Sequence, residues 1–450
     1  MSINPSIFIC PQDRKTLKKL KAIPGFSMLF KAFMKVWSEQ NFRVAMLSSK
    51  LKVSEKQLPQ YHQMLCSLCE DLCIDVPELY IESNPYPNSY TIGEKKPMIV
   101  LTTGLLDCVP TELIPTVLAH ECGHIICGHV LYTTIAHLVI KKGIISSLSS
   151  LLSAPLEMGF NHWMRASEYS ADRVAAVIDG TSEKLTEVCM HYAGYGKGFP
   201  FKPDAAAFLA QAEEYEIELK KTKNNRTFEI NNMKRKDHPL CVVRARTCQD
   251  WANTDAFTKI CKYVKDERNG VVNSDMIPVP GNPSDFIGQK HEIIGQKLQA
   301  AGFTHIAYSM VFGKDLPGKD GQTVGVMIGK SREYLTGDLI DKNEKCLITY
   351  YRVDNQRKSA DEHNGYIKVG SGSSHFTGMD KDDAVKELSE LGFRTIITVA
   401  ETDKKKQEKN EPGSVISVTI SGLEKFRKNM WFDRESDVVI AFIDKEDSLV

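Results

Sequence analysis

Residues 111–132 read TELIPTVLAHECGHIICGHVLY, a run of helical period with His120 and His124 four residues apart around Glu121. Side chains at i and i+4 lie one above the other on a helix, so both imidazoles can face one point. Val117, Leu118 and Ala119 make an apolar face just before the pair. The segment therefore has to be a buried helix, packed against another element that supplies whatever else its histidines need. The pattern H-E-x-x-H fits zinc, which takes three protein ligands in catalytic sites and keeps a fourth position open. A carboxylate beside the first histidine can take the proton of a water activated there.

The third ligand separates the possibilities. The longer arrangement H-E-x-x-H-x-x-G-x-x-H would need glycine at position 127 and histidine at position 130, and the chain has Cys127 and Val130. His129 is one residue out of register and reads as a structural helix histidine. A downstream acid on a second helix is the remaining option. RASEYSADRVAAVI, residues 165–178, offers Glu168 and Asp172 at i and i+4, which puts both carboxylates on one face. Glu168 would complete a His₂Glu site, and Asp172 would orient a ligand histidine from behind. The plainer alternative is a charged helix face, with Glu168 and Asp172 paired to Arg165 or Arg173.

The chain has 450 residues with 57 Lys+Arg and 57 Asp+Glu. A formal charge of zero excludes a basic nucleic-acid binder and an acidic tail. Apolar residues are 42% and charged residues 25%, ordinary values for a globular chain long enough for two or three domains. The N-terminus lacks a basic segment followed by an apolar one, so no signal peptide is expected. The apolar 125–156 region is broken by Lys141 and Lys142 and is serine-rich, so no membrane span is expected, with peripheral membrane contact there as the alternative. The 12 cysteines read as reduced thiols of a cytoplasmic protein. Cys66, Cys69 and Cys73 share a helix face with Leu65 and Leu72 and read as packing, as does Cys122.

Residues 1–270 read as mostly helical, with a helical N-terminal part over 1–75 in which Leu17, Leu20, Phe26, Leu29, Phe30 and Phe33 stand at near-helical spacing. ELYIES (78–83) and PMIVLTTG (97–104) interrupt the helices as strands, and 220–239 reads as a solvated loop. Residues 271–283 are rich in Pro, Gly and Asn and read as a linker. Beyond them the chain repeats itself. Phe286, Gly288, Leu298, Gly302, Phe303 and Ile306 recur 90 residues later as Phe376, Gly378, Leu388, Gly392, Phe393 and Ile396. The boundaries read 284–353 for the first repeat, 354–372 for a second linker and 373–446 for the second repeat. Each repeat is a helix ending in Gly-Phe, followed by alternating strands. Both resemble PASTA-like modules, which bind or space something; their partner is not legible.

Over residues 10–250 the chain resembles the HtpX/CAAX-prenyl-protease (Ste24-type) family of zinc metallopeptidases. H-E-x-x-H followed by E-x-x-x-D carries the resemblance, together with NPYPNSYTIG (84–93), VLAHECGHI and DHPLCVVR (237–244). The family position after the loop asparagine, usually alanine, is Ser89 here. The resemblance implies an α+β fold: a mostly helical gluzincin-type zincin domain with a small sheet, followed here by the two small α/β modules. It implies one Zn²⁺ per chain on His120, His124 and Glu168, with Glu121 as general base and acid. It implies that His238 stabilises the oxyanion and that Arg244 pairs an acid near the site. Asn88 and Gly93 would hold the substrate backbone. The expected activity is a zinc-dependent endopeptidase acting on a peptide or protein substrate, with no nucleic acid involved. The strand at 98–104 is expected to be the edge that aligns the peptide. The rival is a non-catalytic or membrane-peripheral zinc-binding adaptor in protein quality control.

Overall fold

A computed structural model describes residues 3–141, 148, 151–225, 240–270, 275–313, 316–353, 365–401 and 411–444. The chain divides into two compact units, Met1–Ser274 and Asp275–Val450.

The first unit opens with α1 (Pro11–Ala22), α2 (Phe26–Val36), α3 (Glu39–Ser49) and α4 (Pro59–Leu72). The near-helical apolar spacing becomes a buried stripe: Leu20, Phe26, Leu29 and Phe33 sink into one core with Phe160 and Trp163. A four-stranded sheet follows, built from β1 (Leu51–Lys52), β2 (Glu78–Glu82), β3 (Ser89–Ile92) and β4 (Met98–Thr102). Its order is β1-β2-β4-β3, with β2 parallel and β3 antiparallel to β4. All five residues of β4 are buried. The edge beside the histidine helix is thus β3, not the strand at 98–104, because β4 is paired on both sides. β3 came out of a Pro-rich stretch whose loop character masked it.

The helical run at 111–132 forms α6 (Ile114–Ile126), then breaks and resumes as α7 (Val130–Ile135). The break is a glycine C-cap: Gly128 has φ +72, its N–H donates to the Ile125 carbonyl, and His129 N–H donates to the His124 carbonyl. These two bonds are those of a Schellman motif. A short helix, α5 (Thr103–Cys108), precedes α6. Beyond α7 come α8 (Ala154–Asp179), α9 (Glu183–Ala193), α10 (Ala205–Lys221), α11 (Cys241–Ala252) and α12 (Asp255–Arg268). No single helix among the described residues is long and apolar enough to cross a membrane. Thr111–Ile126 and Val130–Ile140 meet the length only together, across a 99° bend. Ile135, Leu138 and Val139 lie in the core. Cys69 of α4 and Cys122 of α6 are buried and form no disulfide.

The second unit duplicates one motif. Its first copy holds β5 (Met276–Pro278), α13 (His291–Ala301), β6 (Ile306–Gly313), β7 (Thr323–Ile328), β8 (Leu339–Asp341) and β9 (Cys346–Val353). Its second holds β10 (Tyr366–Lys368), α14 (Lys381–Glu390), β11 (Thr395–Ala400), β12 (Val415–Ile420), β13 (Trp431–Asp433) and β14 (Asp437–Phe442). β9 takes β6 in parallel and β7 antiparallel, with a register shift between Thr323 and Gly325. β14 takes β11 and β12 in the same way, with the shift between Val415 and Ser417. Two boundaries drawn from composition change. Met276–Pro278 and Tyr366–Lys368 were read as linker, yet each is a strand paired antiparallel, with β8 and β13 respectively. Pro and Gly at their ends hid them, since three-residue strands leave no alternation to detect. The copies also share a sheet of order β10-β13-β6-β9-β7, because β13 pairs with β6 at Trp431 and Phe312. Arg332 of the first copy grips Asp437 of the second by two hydrogen bonds of 2.6 Å.

Candidate metal-dependent active site

Two helices build the site. On α6, His120, Glu121 and His124 are all buried, and so are Glu168 and Asp172 on α8. Gly123 lets the helices touch: a Cβ there would stand 2.9 Å from the Ala171 Cα. That contact brings Glu168 within reach of both imidazoles, 3.4 Å from His120 Nε2 and 3.3 Å from His124 Nε2. One donor atom from each of His120, His124 and Glu168 lies within 4.8 Å of the others. Ligands about 2.0–2.1 Å from a tetrahedral ion sit about 3.4 Å apart, and the two separations from Glu168 to the imidazoles match that spacing.

A second set of groups holds the first in place. His120 Nδ1 lies 2.9 Å from Asp172 Oδ1. Arg244 of α11 clamps the same carboxylate through Nε at 3.0 Å and Nη2 at 2.6 Å, and its Nη1 stands 3.2 Å from Glu168 Oε2. Burial opposes the charge on His120, but Asp172 and Glu168 outweigh it and raise the imidazole to about 9. His124 lies below its ordinary value, since burial outweighs Glu168. Burial would raise Asp172, yet Arg244 and His120 hold it below the usual carboxylate range. Behind His124, its Nδ1 is 3.0 Å from His129 Nδ1.

Glu121 is held from the sheet. Ser89 Oγ donates to its Oε1 and Thr91 Oγ1 to its Oε2, each at 2.6 Å. Both hydroxyls come from β3, where residues two apart share a face. The sequence reading missed this pair; the signal was Ser89 itself, two residues before Thr91 on one face of β3. A cavity of about 230 Å³ opens over the three donors, between residues 87–91 on one wall and Val117, Leu185, Val188 and Tyr192 on the other.

Asn88 lines this cavity, its backbone bonded to Thr102 through N–H and C=O. Gly93, expected at the substrate, does not line it. It ends β3, with its N–H donating to Thr134 Oγ1 and its C=O accepting from the same hydroxyl. His238 lies outside the described residues.

Two helix-borne histidines, a carboxylate from a second helix and a glutamate beside the first histidine define a metal-dependent hydrolase site. Residues 56–252 match the model of peptidase family M48. The chain is 30% identical over 257 residues to the plastoglobule-localized metallopeptidase 48, chloroplastic, of Arabidopsis thaliana, covering 56% of this chain and 74% of that protein. It is 24% identical over 199 residues to a protease HtpX homolog of Ralstonia pickettii (strain 12J), covering 38% and 68%. The crystal structure of S. mikatae Ste24p overlaps loosely, at 16% identity and a TM-score of 0.26, over 52% of this chain and 65% of that one. The chain belongs to peptidase family M48. It is a metalloprotease, and its substrates are peptides or proteins.

Proposed function

We propose that the protein is a zinc-dependent endopeptidase with one Zn²⁺ per chain, held by His120, His124 and Glu168. The observation that carries this reading is the convergence of three buried donors within 4.8 Å under a cavity that Glu121 also lines. A structural zinc site would be closed by a fourth protein ligand, and among the described residues three converge. When bound, zinc supplies a Lewis acid that makes water nucleophilic near neutral pH.

The chain's own groups do the rest. Glu121 takes the proton of the attacking water as its oxygen bonds to the scissile carbonyl carbon. It returns that proton to the amine as the C–N bond breaks. Ser89 and Thr91 fix both carboxylate oxygens for this exchange. β3 stands at the sheet edge, so an extended substrate can add to it as a further strand, with Asn88 at the strand's start. Arg244 holds Asp172, and His238 is proposed as a donor to the oxyanion on resemblance alone.

We read the second unit as two PASTA-like modules that bind or space a partner; their support is the duplicated strand order and register shift. A cytoplasmic location suits the free thiols. Membrane contact through 125–156 has less support, since Ile135, Leu138 and Val139 are buried.

The test is Glu121→Gln, which removes the base and no ligand. Metal analysis should find zinc retained at wild-type stoichiometry, while turnover of an unstructured peptide falls by several orders of magnitude. Near-normal turnover would remove Glu121 from the mechanism, and loss of zinc from His124→Ala is required for the ligand set to stand.

A further inference from the structure

The two ligand histidines are supported in different ways. His120 meets a carboxylate directly, at Asp172. His124 meets another imidazole, and only behind that a carboxylate: His129 Nε2 lies 2.9 Å from Asp13 Oδ2. His129 and Asp13 are 2% and 1% exposed, and neither lines the cavity. Asp13 sits in the first turn of α1 and is anchored by two further donors. Trp163 Nε1 gives a hydrogen bond to Oδ1 at 2.9 Å, and Ser170 Oγ gives one to Oδ2 at 2.7 Å. The Schellman turn at Gly128 brings the His129 ring back under His124.

We propose that Asp13 and His129 are positioning residues that fix the tautomer of His124, so that its Nε2 lone pair faces the metal. The inference rests on reading His124 as a ligand, and the logic is one of donors and acceptors. An ionised carboxylate only accepts, so His129 carries its proton on Nε2. When that is the ring's one proton, Nδ1 of His129 is a lone pair. Two nitrogens 3.0 Å apart need one proton between them, so His124 supplies it from Nδ1. That leaves His124 Nε2 bare on the side where Glu168 Oε1 lies 3.3 Å away. Ligand histidines are commonly held by a carboxylate or carbonyl at the other ring nitrogen. Here the carboxylate acts one imidazole removed, and α1 reaches the site through it.

Asp13→Asn tests the polarity. Trp163 Nε1 only donates, so the amide oxygen must face it and the amide nitrogen must face His129. The nitrogen donates where the carboxylate accepted. His129 then moves its proton to Nδ1, and His124 is left with its proton on Nε2. His129→Gln offers the opposite control: its amide nitrogen donates to Asp13 and its oxygen accepts from His124, as neutral His129 does. His129→Leu keeps bulk and removes the acceptor.

In the full chain, zinc dissociation constants measured by competition with a chromophoric chelator should rise roughly 10–100-fold for Asp13→Asn and His129→Leu. His129→Gln should stay within about threefold of wild type, a rescue that mere packing would not produce. In chains carrying Glu168→Ala, where that carboxylate no longer faces Nε2, zinc-free side-chain ¹⁵N spectra should show His124 protonated on Nδ1, and on Nε2 once Asp13→Asn is added. The proposal is overturned by wild-type zinc affinity in His129→Leu, or by an Nε2-protonated His124 in the Glu168→Ala chain. If Asp13→Asn does not fold, the two His129 variants decide. A wild-type chain that binds no zinc would instead defeat the ligand reading, and the tautomer spectra would still judge the relay.

Discussion

At the scale of single residues, the site is a set of charges that hold one another. Asp172 accepts from His120 and doubly from Arg244. Asp172→Ala should weaken zinc roughly 10–100-fold without abolishing it, read by chelator titration. A different carboxylate sets a pH dependence. Glu78 accepts from Arg43 at 2.6 and 2.9 Å, from Lys52 at 2.6 Å and from Tyr80 at 2.7 Å. Burial pushes its carboxyl up, but these donors hold it at about 2. A carboxyl held below its unfolded value, about 4.3, stabilises the fold above that value and stops doing so as pH falls toward 2. Glu78→Gln should therefore cost roughly 1 kcal/mol at pH 7, and the gap in denaturation midpoint should narrow markedly by pH 3. His120, His124, Glu168 and Asp172 stand at helical spacing, so their shared faces are readable in one dimension. Asp13 lies 116 residues from His129, and Ser89 lies 32 from Glu121; no local period connects them, and only the folded chain does.

At the scale of elements, the decisive one is the turn between α6 and α7. The sequence reads as a single helix across 111–132, and a histidine at 129 on a continuous helix would have had no route to the back of His124. Gly128, at φ +72 with open space around its Cα, ends α6 and redirects the chain. Gly128→Ala meets no steric obstacle, so its cost should be that of the left-handed backbone alone, about 1–2 kcal/mol. Calorimetry of the metal-free chain would measure it, and zinc affinity should fall in parallel if His129 shifts. The C-cap glycine was visible in the sequence but was outweighed by the apolar period on either side. β3 was lost for a related reason: prolines at 85 and 87 look like loop, and the four residues after them are too few to announce a strand.

At the scale of the whole molecule, every group assigned to the site lies within Met1–Ser274, and the second unit begins at Asp275. Residues 1–274 expressed alone should fold, bind one zinc and cleave short unstructured peptides; an insoluble or metal-free product would make the repeats part of the peptidase. The duplication itself was legible because its Gly-Phe pairs, with Phe303 and Phe393 buried, and its strand positions recur in register. What could not be read was that the copies interlock, since one residue pair between β13 and β6 and the Arg332–Asp437 grip leave no periodic trace. The interlock has a polarity. The second copy lends its antiparallel β10–β13 pair to the flank of β6, an outer strand of the first copy. β11 is the counterpart of β6, and it stands at the end of its own three-stranded sheet with Ile397 and Val399 exposed. Among the described residues, the flank that β13 covers on β6 has no strand beside it on β11, so one unit built twice presents a sheathed strand in one copy and an open one in the other.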